Sequence, residues 1–292
     1  MSDAAILFRS ALQSAFGYLD WLPVGDGEIH RFQVPGDKPN RLNGWYVLFP
    51  NSIASGAFGS WKIGSTNIWR SREPTSQHEA EQVRQRIEQV KRHRQAERQQ
   101  RQRLTSEVAQ RLWSNACKAD PGHEYLATKG VPSYGLRQRG SHLLIPLYSA
   151  GQLVNLQCIS LDGSKRFLSG GQVRGSYSPL GMIDADLPLC ICEGWATGAT
   201  LHQNGYTVAA AMNAGNLKPV ALALRARHPN LQLIIAGDDD QQTDGNPGRT
   251  FANAAAAAAG AEVAFPEWPT NAPPTLTDYN DLAGWSKANG IA

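Results

Sequence analysis

Apolar positions change their spacing several times along the chain. Near the N-terminus Ile6, Leu7, Leu12 and Phe16 recur at helical spacing. From Trp21 to Trp69 the pattern becomes short alternating runs, such as Ile29-His30-Arg31-Phe32-Gln33-Val34 and Trp45-Tyr46-Val47-Leu48-Phe49, bounded by Gly, Pro, Asp and Asn. Successive strand side chains point to opposite faces, so these runs predict a small antiparallel sheet with hairpins. Residues 74–116 are polar, with Gln, Arg and Glu dominant, no Gly and a Pro only at the start. Those residues favour helix, and the stretch predicts one long helix or a broken pair. Within 121–186, Leu143–Tyr148, Leu153–Ile159 and Lys165–Leu168 read as three strands separated by turns. From 187 onward strands and helices alternate. Leu189–Cys192, Thr207–Ala211, Leu231–Ala236 and Glu262–Phe265 read as strands, with Ala196–Asn204, Val220–Arg227 and Arg249–Ala259 as helices. Such alternation implies a parallel sheet covered by helices.

Composition narrows this picture. The 292 residues are 41% hydrophobic, enough for about two folded units at roughly 150 residues each. None of the four cysteines, Cys117, Cys158, Cys190 and Cys192, forms a CxxC pair, so a zinc ribbon is not expected and a reducing compartment fits. No signal-like N-terminus and no apolar run of about 18 residues is present. A soluble, cytoplasmic protein with no membrane partner is expected. Net charge is only +3, but Arg84, Arg86, Lys91, Arg92, Arg94, Arg98, Arg101 and Arg103 are concentrated in the predicted long helix. That helix reads either as a solvated connection laced by Glu–Arg pairs or as a contact to a DNA backbone. The tryptophans at 21, 45, 61 and 69 likewise read either as the core of the small sheet or as a stacking surface for bases.

The chemistry is concentrated in the last third. Ligands bind such sheets at the C-terminal ends of their strands. Glu193 ends the first strand, Asp238, Asp239 and Asp240 end the third, and Asp278 and Asp281 follow the last. Alternation lets Asp238 and Asp240 face one site while Asp239 faces elsewhere. Taken alone, the Asp triplet also fits a turn or a helix cap. Several gathered carboxylates repel one another unless a cation neutralises them, and Mg²⁺ (or Mn²⁺) is the natural partner.

The order Glu193-Gly194, Asp238-x-Asp240 and Gly248-Arg249 resembles the TOPRIM domain of primases, topoisomerases and related nucleases. Asp278-Tyr279-Asn280-Asp281-Leu282 looks like the third acidic motif of the primase branch. His123-Glu124-Tyr125-Leu126, Lys129-Gly130-Val131, Leu144–Leu147, Gly151–Asn155 and Lys165–Leu168 resemble the core of bacterial-type primases; residues 28–69 resemble the N-terminal part of phage and plasmid primase-like proteins. The resemblance implies an α/β protein, α+β as a whole. A small N-terminal β-rich domain that binds template would span 1–72 and a basic helical linker 73–120. A β-rich basic subdomain would span 121–186, and a TOPRIM catalytic domain with a parallel sheet flanked by helices 187–292. It implies a DNA primase making short RNA primers on single-stranded DNA from NTPs in phage or plasmid replication, with a replicative helicase acting in trans. Glu193, Asp238 and Asp240 would be catalytic and, with Asp278 and Asp281, would hold the metal. Glu193 serves as ligand or as general base. Lys165, Arg166, Arg174 and Arg249 are candidates for nucleotide or DNA binding, Arg249 because it opens a helix whose N-terminus favours anions. Two features depart from the pattern: the insert between Asp240 and Gly248 is longer than expected, and the cysteines of a primase zinc ribbon are missing.

The alternatives are a TOPRIM nuclease using the same metals, and a non-catalytic replication adaptor that binds DNA and a helicase. Other motifs are set aside. Gly59–Thr66 nearly matches a P-loop but lacks Lys before Ser/Thr and a following helix. Asp240–Gly245 faintly resembles a calcium loop, but Phe251 stands where the bidentate Glu belongs. Cys190 and Cys192 read as buried apolar residues, and His123 and His142 as core or surface histidines.

Overall fold

The computed structural model describes residues 2–37, 42–50, 53–60 and 65–291, and the chain divides into two compact units, Met1–Glu97 and Arg98–Ala292. In the first, helix α1 (Ser2–Phe16) covers a four-stranded antiparallel sheet of β1 (His30–Phe32), β2 (Gly44–Phe49), β3 (Ser55–Ser60) and β4 (Ser65–Arg70), in that order. Phe8 and Leu12 of α1 are fully buried against Tyr46, Leu48 and Phe58. The aromatics are packed into this core. Trp69 lies 5.1 Å from Phe8 and Trp21 stacks on Tyr46 at 5.3 Å. On the other face of β2 the fully buried Trp45 lies 3.7 Å beneath the Arg94 guanidinium. Gly56 is required by this packing, since a Cβ there would sit 2.5 Å from the Val47 carbonyl oxygen and 2.9 Å from the Phe8 ring. The P-loop-like segment falls on the β3–β4 hairpin; its residues 61–64, with Trp61, lie outside the described residues.

The polar stretch forms one unbroken helix, α2 (Gln77–Ser114). Its start is a capping box: Ser76 Oγ accepts the Glu79 amide at 3.2 Å, and Glu79 Oε2 accepts the Thr75 amide at 2.9 Å. Up to Glu97 the helix belongs to the first unit and from Arg98 to the second. The last turns are packed, not solvated: Ala109, Leu112 and Trp113 bury against Leu144, Leu153 and Leu156. Those three residues lie on the antiparallel sheet of the second unit, ordered β5 (Cys117–Lys118), β6 (Arg137–Arg139), β7 (His142–Ser149), β8 (Gln152–Ile159), β9 (Lys165–Phe167). A short helix, α3 (Glu124–Lys129), precedes β6, and the buried His123 caps it by accepting the Tyr125 amide at 3.2 Å.

The remaining elements are β10 (Ser178–Leu180), β11 (Leu189–Cys192), α4 (Trp195–Gln203), β12 (Thr207–Ala210), α5 (Ala214–Arg227), β13 (Leu233–Ala236), α6 (Pro247–Ala259), β14 (Glu262–Ala264) and α7 (Tyr279–Ala288). The strands order as β10-β12-β11-β13-β14, parallel except for β10 at one edge. Alternate side chains serve two cores. Leu189 and Ile191 pack with α5 and α6, while Cys190 and Cys192 pack with α4 and with Leu143, Ile145 and Leu147 of β7. One expectation is corrected: helix α5 begins at Ala214, six residues earlier than the pattern suggested, and carries Pro219 inside it. Two elements go beyond the pattern read from sequence: the edge strand β10, from the segment before 187, and helix α7, which the acidic segment after β14 opens.

Candidate metal and nucleotide site

Parallel register aligns Cys192 of β11 with Ala236 of β13, so the residues that follow, Glu193 and Gly237-Asp238, leave the sheet side by side. Gly237 admits no side chain: a Cβ would lie 2.5 Å from the Phe265 ring and 2.6 Å from Ala252 Cβ. Gly248 is equally constrained, at 2.5 Å from the Asp238 carbonyl oxygen, and its amide donates to Asp240 Oδ2 at 2.9 Å. Helix α6 therefore seats directly on the acidic loop, with its positive end toward Asp240.

The three consecutive aspartates separate as alternation requires. Asp239 is buried, accepting Arg249 Nε at 2.6 Å, Asn246 Nδ2 at 2.8 Å and Trp268 Nε1 at 2.9 Å, while its amide donates to the Thr277 carbonyl at 2.7 Å. The Arg249 hydrogen bond, more than any other contact, holds the Asp239 carboxyl down at about 2. Asp238 has the opposite surroundings. Its Oδ1 is buried without a hydrogen-bond partner among the described residues. Burial first, then the charges of Glu193, Asp278, Asp240 and Asp281, push its carboxyl up to about 8. Burial also raises Glu193, with Asp240 and Asp278 adding, although the Ala214 amide at the start of α5 donates to its carboxylate.

Asp278 and Asp281 form a reciprocal cap on α7. Asp278 Oδ1 accepts the Asp281 amide at 2.8 Å, and Asp281 Oδ2 accepts the Thr277 amide at 3.2 Å. Asp278 Oδ2 also accepts Thr197 Oγ1 at 3.1 Å, and Asp281 Oδ1 lies 3.5 Å from Lys129 Nζ. Both belong to the charge environment of Asp238, Asp278 more strongly, and Asp281 is also paired with Lys129.

Among the cations, Lys165 faces the acids. Burial lowers its pKa and Lys129 lowers it further, while Asp278, Glu193 and Asp238 act to raise it. Lys165 itself keeps solvent exposure despite this desolvation; Arg166, next along β9 and also exposed, points the other way. Arg174 is exposed on a loop clamped by the buried Asn216, whose Oδ1 accepts the Gly175 amide at 2.8 Å and whose Nδ2 donates to the carbonyls of Val173, Ser176 and Ala211. Arg249, read from sequence as a phosphate group's partner, holds Asp239 and lies 4.3 Å over the Phe265 ring, with its side chain still 44% exposed.

Sequence reasoning assigned no role to Lys129, Asn216, Asn246 and Trp268. Lys129 stood in a quoted motif, and Asn246 left the signal of an Asn before Pro247 at the first helical position.

Among the described residues, no three acidic, His or Cys side chains form a ready-made metal cage. The donor set still suits a hard divalent cation: the acids are oxygen donors gathered at the C-terminal end of the parallel sheet, and Asp238 Oδ1 is buried and unpartnered among the described residues.

Residues 188–286 match the Toprim domain family. Over 84% of its length the chain is similar to two DNA primase TraC proteins of Escherichia coli, at 33% identity across 257 residues and 35% across 260. It spans only 18% and 24% of their own lengths. Its backbone is also similar to the Aquifex aeolicus primase (zinc binding and RNA polymerase domains), at TM-score 0.42 and 13% identity over 97% of this chain and 80% of that one, a likeness too low to bear on chemistry.

Proposed function

Because residues 188–286 belong to the Toprim domain family, we propose that this chain is the catalytic part of a DNA primase. It would synthesise short RNA primers on single-stranded DNA for phage or plasmid replication. The observation that carries this reading is the state of Asp238, half of whose carboxylate is buried and unpartnered among the charges of Glu193, Asp240 and Asp278. The similarity to DNA primases TraC over 84% of the chain favours RNA synthesis over other uses of such a site.

Glu193, Asp238 and Asp240 would hold Mg²⁺ or Mn²⁺, with Asp278 in support and Asp281 acting through the cap. When bound, the metal neutralises charge on the attacking and leaving oxygens of phosphoryl transfer. The chain's own residues supply positioning, which is most of what this chemistry needs. Asp239, fixed by Arg249, Asn246 and Trp268, keeps Asp238 and Asp240 turned to one side. Lys165 places a positive charge opposite the acids, where a triphosphate would sit. Glu193 would serve either as a metal ligand or, its pKa raised by burial, as the group that accepts the proton of the 3′-hydroxyl attacking the α-phosphate. Arg166 and Arg174 are exposed and would contact nucleotide or template phosphate. Exposed arginines of α2, such as Arg92 and Arg98, would add backbone contacts. Single-stranded DNA and NTPs are then the ligands, and a replicative helicase would act in trans in the cytoplasm. No helix of the described residues is long and apolar enough to cross a membrane.

The test is incubation with single-stranded DNA, Mg²⁺ and labelled NTPs. Short RNA products are expected. Shortened DNA would replace this reading with a nuclease, and no product of either kind with a non-catalytic adaptor.

A further inference from the structure

Tyr125 stands in α3, outside the acidic strand ends, yet it borders the same site. Only 6% of the residue is exposed, and its ring is packed into the core shared by β7, β11 and α4. Its hydroxyl has no hydrogen-bond partner among the described residues. A buried hydroxyl left without a partner costs stability, and phenylalanine would fill the same core without that cost. Two neighbours place this ring beside the site. Lys165 Nζ lies over its face, 5.4 Å from the centroid, and, after burial, the Asp278 carboxylate is the charge that acts on the phenol. Asp278 does not need the hydroxyl as a donor, because its oxygens already accept the Asp281 amide and Thr197 Oγ1.

We propose that the Tyr125 hydroxyl is a ligand-binding group of this site, donating a hydrogen bond to a phosphate oxygen held beside Lys165. This rests on the reading of the site as one that binds nucleotides. Burial pushes the phenol up to about 12, so it remains a donor throughout the working pH range. The ammonium of Lys165 attracts the anion, and the hydroxyl fixes one of its oxygens at the inner wall, next to the acids. A phosphate oxygen can come from the triphosphate of an incoming nucleotide or from the nucleic-acid backbone, and the two sources are separable.

The experiment compares wild type with Tyr125→Phe in the full chain. It measures the affinity for ATP with Mg²⁺, the affinity for an oligo-dT single strand, and the melting temperature without ligand. The expected result is about tenfold weaker binding of one phosphate source, the size of one hydrogen bond to a charged group, with a melting temperature unchanged or raised. Weaker ATP binding alone assigns the hydroxyl to the triphosphate, and weaker oligo-dT binding alone assigns it to the backbone. Unchanged affinity for both overturns the proposal, whatever happens to the melting temperature. A fall in melting temperature with unchanged affinities would give the hydroxyl a structural role instead. Tight binding by wild type with equal binding by Tyr125→Phe removes this proposal and leaves the site standing. Wild type that binds neither ligand overturns both.

Discussion

In the N-terminal unit, Trp21, Tyr46, Phe8 and Trp69 satisfy one another. Trp21 stacks on Tyr46 and Phe8 meets Trp69 at 5.1 Å. At the end of the parallel sheet Glu193, Asp238, Asp240 and Asp278 do the reverse: they oppose one another, and burial first, then this repulsion, pushes Asp238 up to about 8. Aromatic residues on a sheet and acidic residues after a strand are both familiar signs of a binding surface. Here the first set is absorbed by packing, and only the second remains in conflict. Substrate chemistry is therefore expected where the fold tolerates an unfavourable arrangement, as functional sites do. Asp239 sharpens the contrast, since one peptide bond from Asp238 it is held at about 2 by hydrogen bonds from Arg249, Asn246 and Trp268.

The largest expected effect is on activity. Asp238→Asn and Asp240→Asn should each reduce primer synthesis by at least roughly 100-fold while leaving the fold intact, because a charge needed for metal neutralisation is lost. Gel analysis of products alongside circular dichroism checks both halves. Full activity in either variant would remove the assignment.

The contrast can be broken from the other side. Phe8→Ala should cost the N-terminal unit about 3–5 kcal/mol, as buried aromatic truncations do. Binding of Mn²⁺ to the intact C-terminal unit should be unaffected, and denaturant unfolding with a parallel metal titration reads the two together. Loss of metal binding would mean that packing in the N-terminal unit and metal binding are coupled.

Arg249→Ala should lose about 2–3 kcal/mol, because it leaves the buried Asp239 carboxylate short of its strongest partner. Arg249→Lys should recover only part of that, since an ammonium cannot reproduce the bond from Nε and the second from Nη2, at 2.6 and 3.2 Å. Chemical denaturation measures both.

The smallest effects concern two neighbouring cations. Lys165→Ala should raise the KM for NTP about tenfold and Arg166→Ala about twofold, with stability changed by no more than about 0.5 kcal/mol for the exposed Arg166. Equal effects would mean that strand alternation does not separate their roles.

Much of this was legible because periodicity reports what is buried. The strands at 189–192 and 142–149 are apolar runs whose burial the structure repeats, and the alternation of Asp238 and Asp240 about Asp239 follows from backbone geometry alone. Elements hidden by atypical residues were not. Helix α5 carries Gly215 in its first turn and Pro219 soon after, both poor helix formers, and its start is secured by Asn216 clamping a distant loop. Strand β10 is three residues with Pro179 at its centre, tolerated because it lies at a sheet edge. Helix α7 was obscured because its capping aspartates also read as metal ligands. Arg249 opens α6 and so reads as an anion group, but only the packed structure shows that its anion is Asp239 of the same chain.

Burial of Asp238 among like charges is the conflict a divalent cation relieves, and thermal unfolding of wild type and Asp238→Asn tests this most directly. Asp238 carries its proton in the folded state up to about pH 8, against 3.8 for the unconstrained group. Between those values the folded state binds the proton and the unfolded state does not. Raising pH through that window should therefore destabilise the metal-free wild type, by up to about 1.4 kcal/mol per pH unit. Asp238→Asn should flatten that dependence, melt higher than wild type at pH 8 without metal, and gain little from added Mn²⁺, which should stabilise wild type. A variant that melts lower than wild type without metal, and responds to Mn²⁺ as wild type does, would contradict the account.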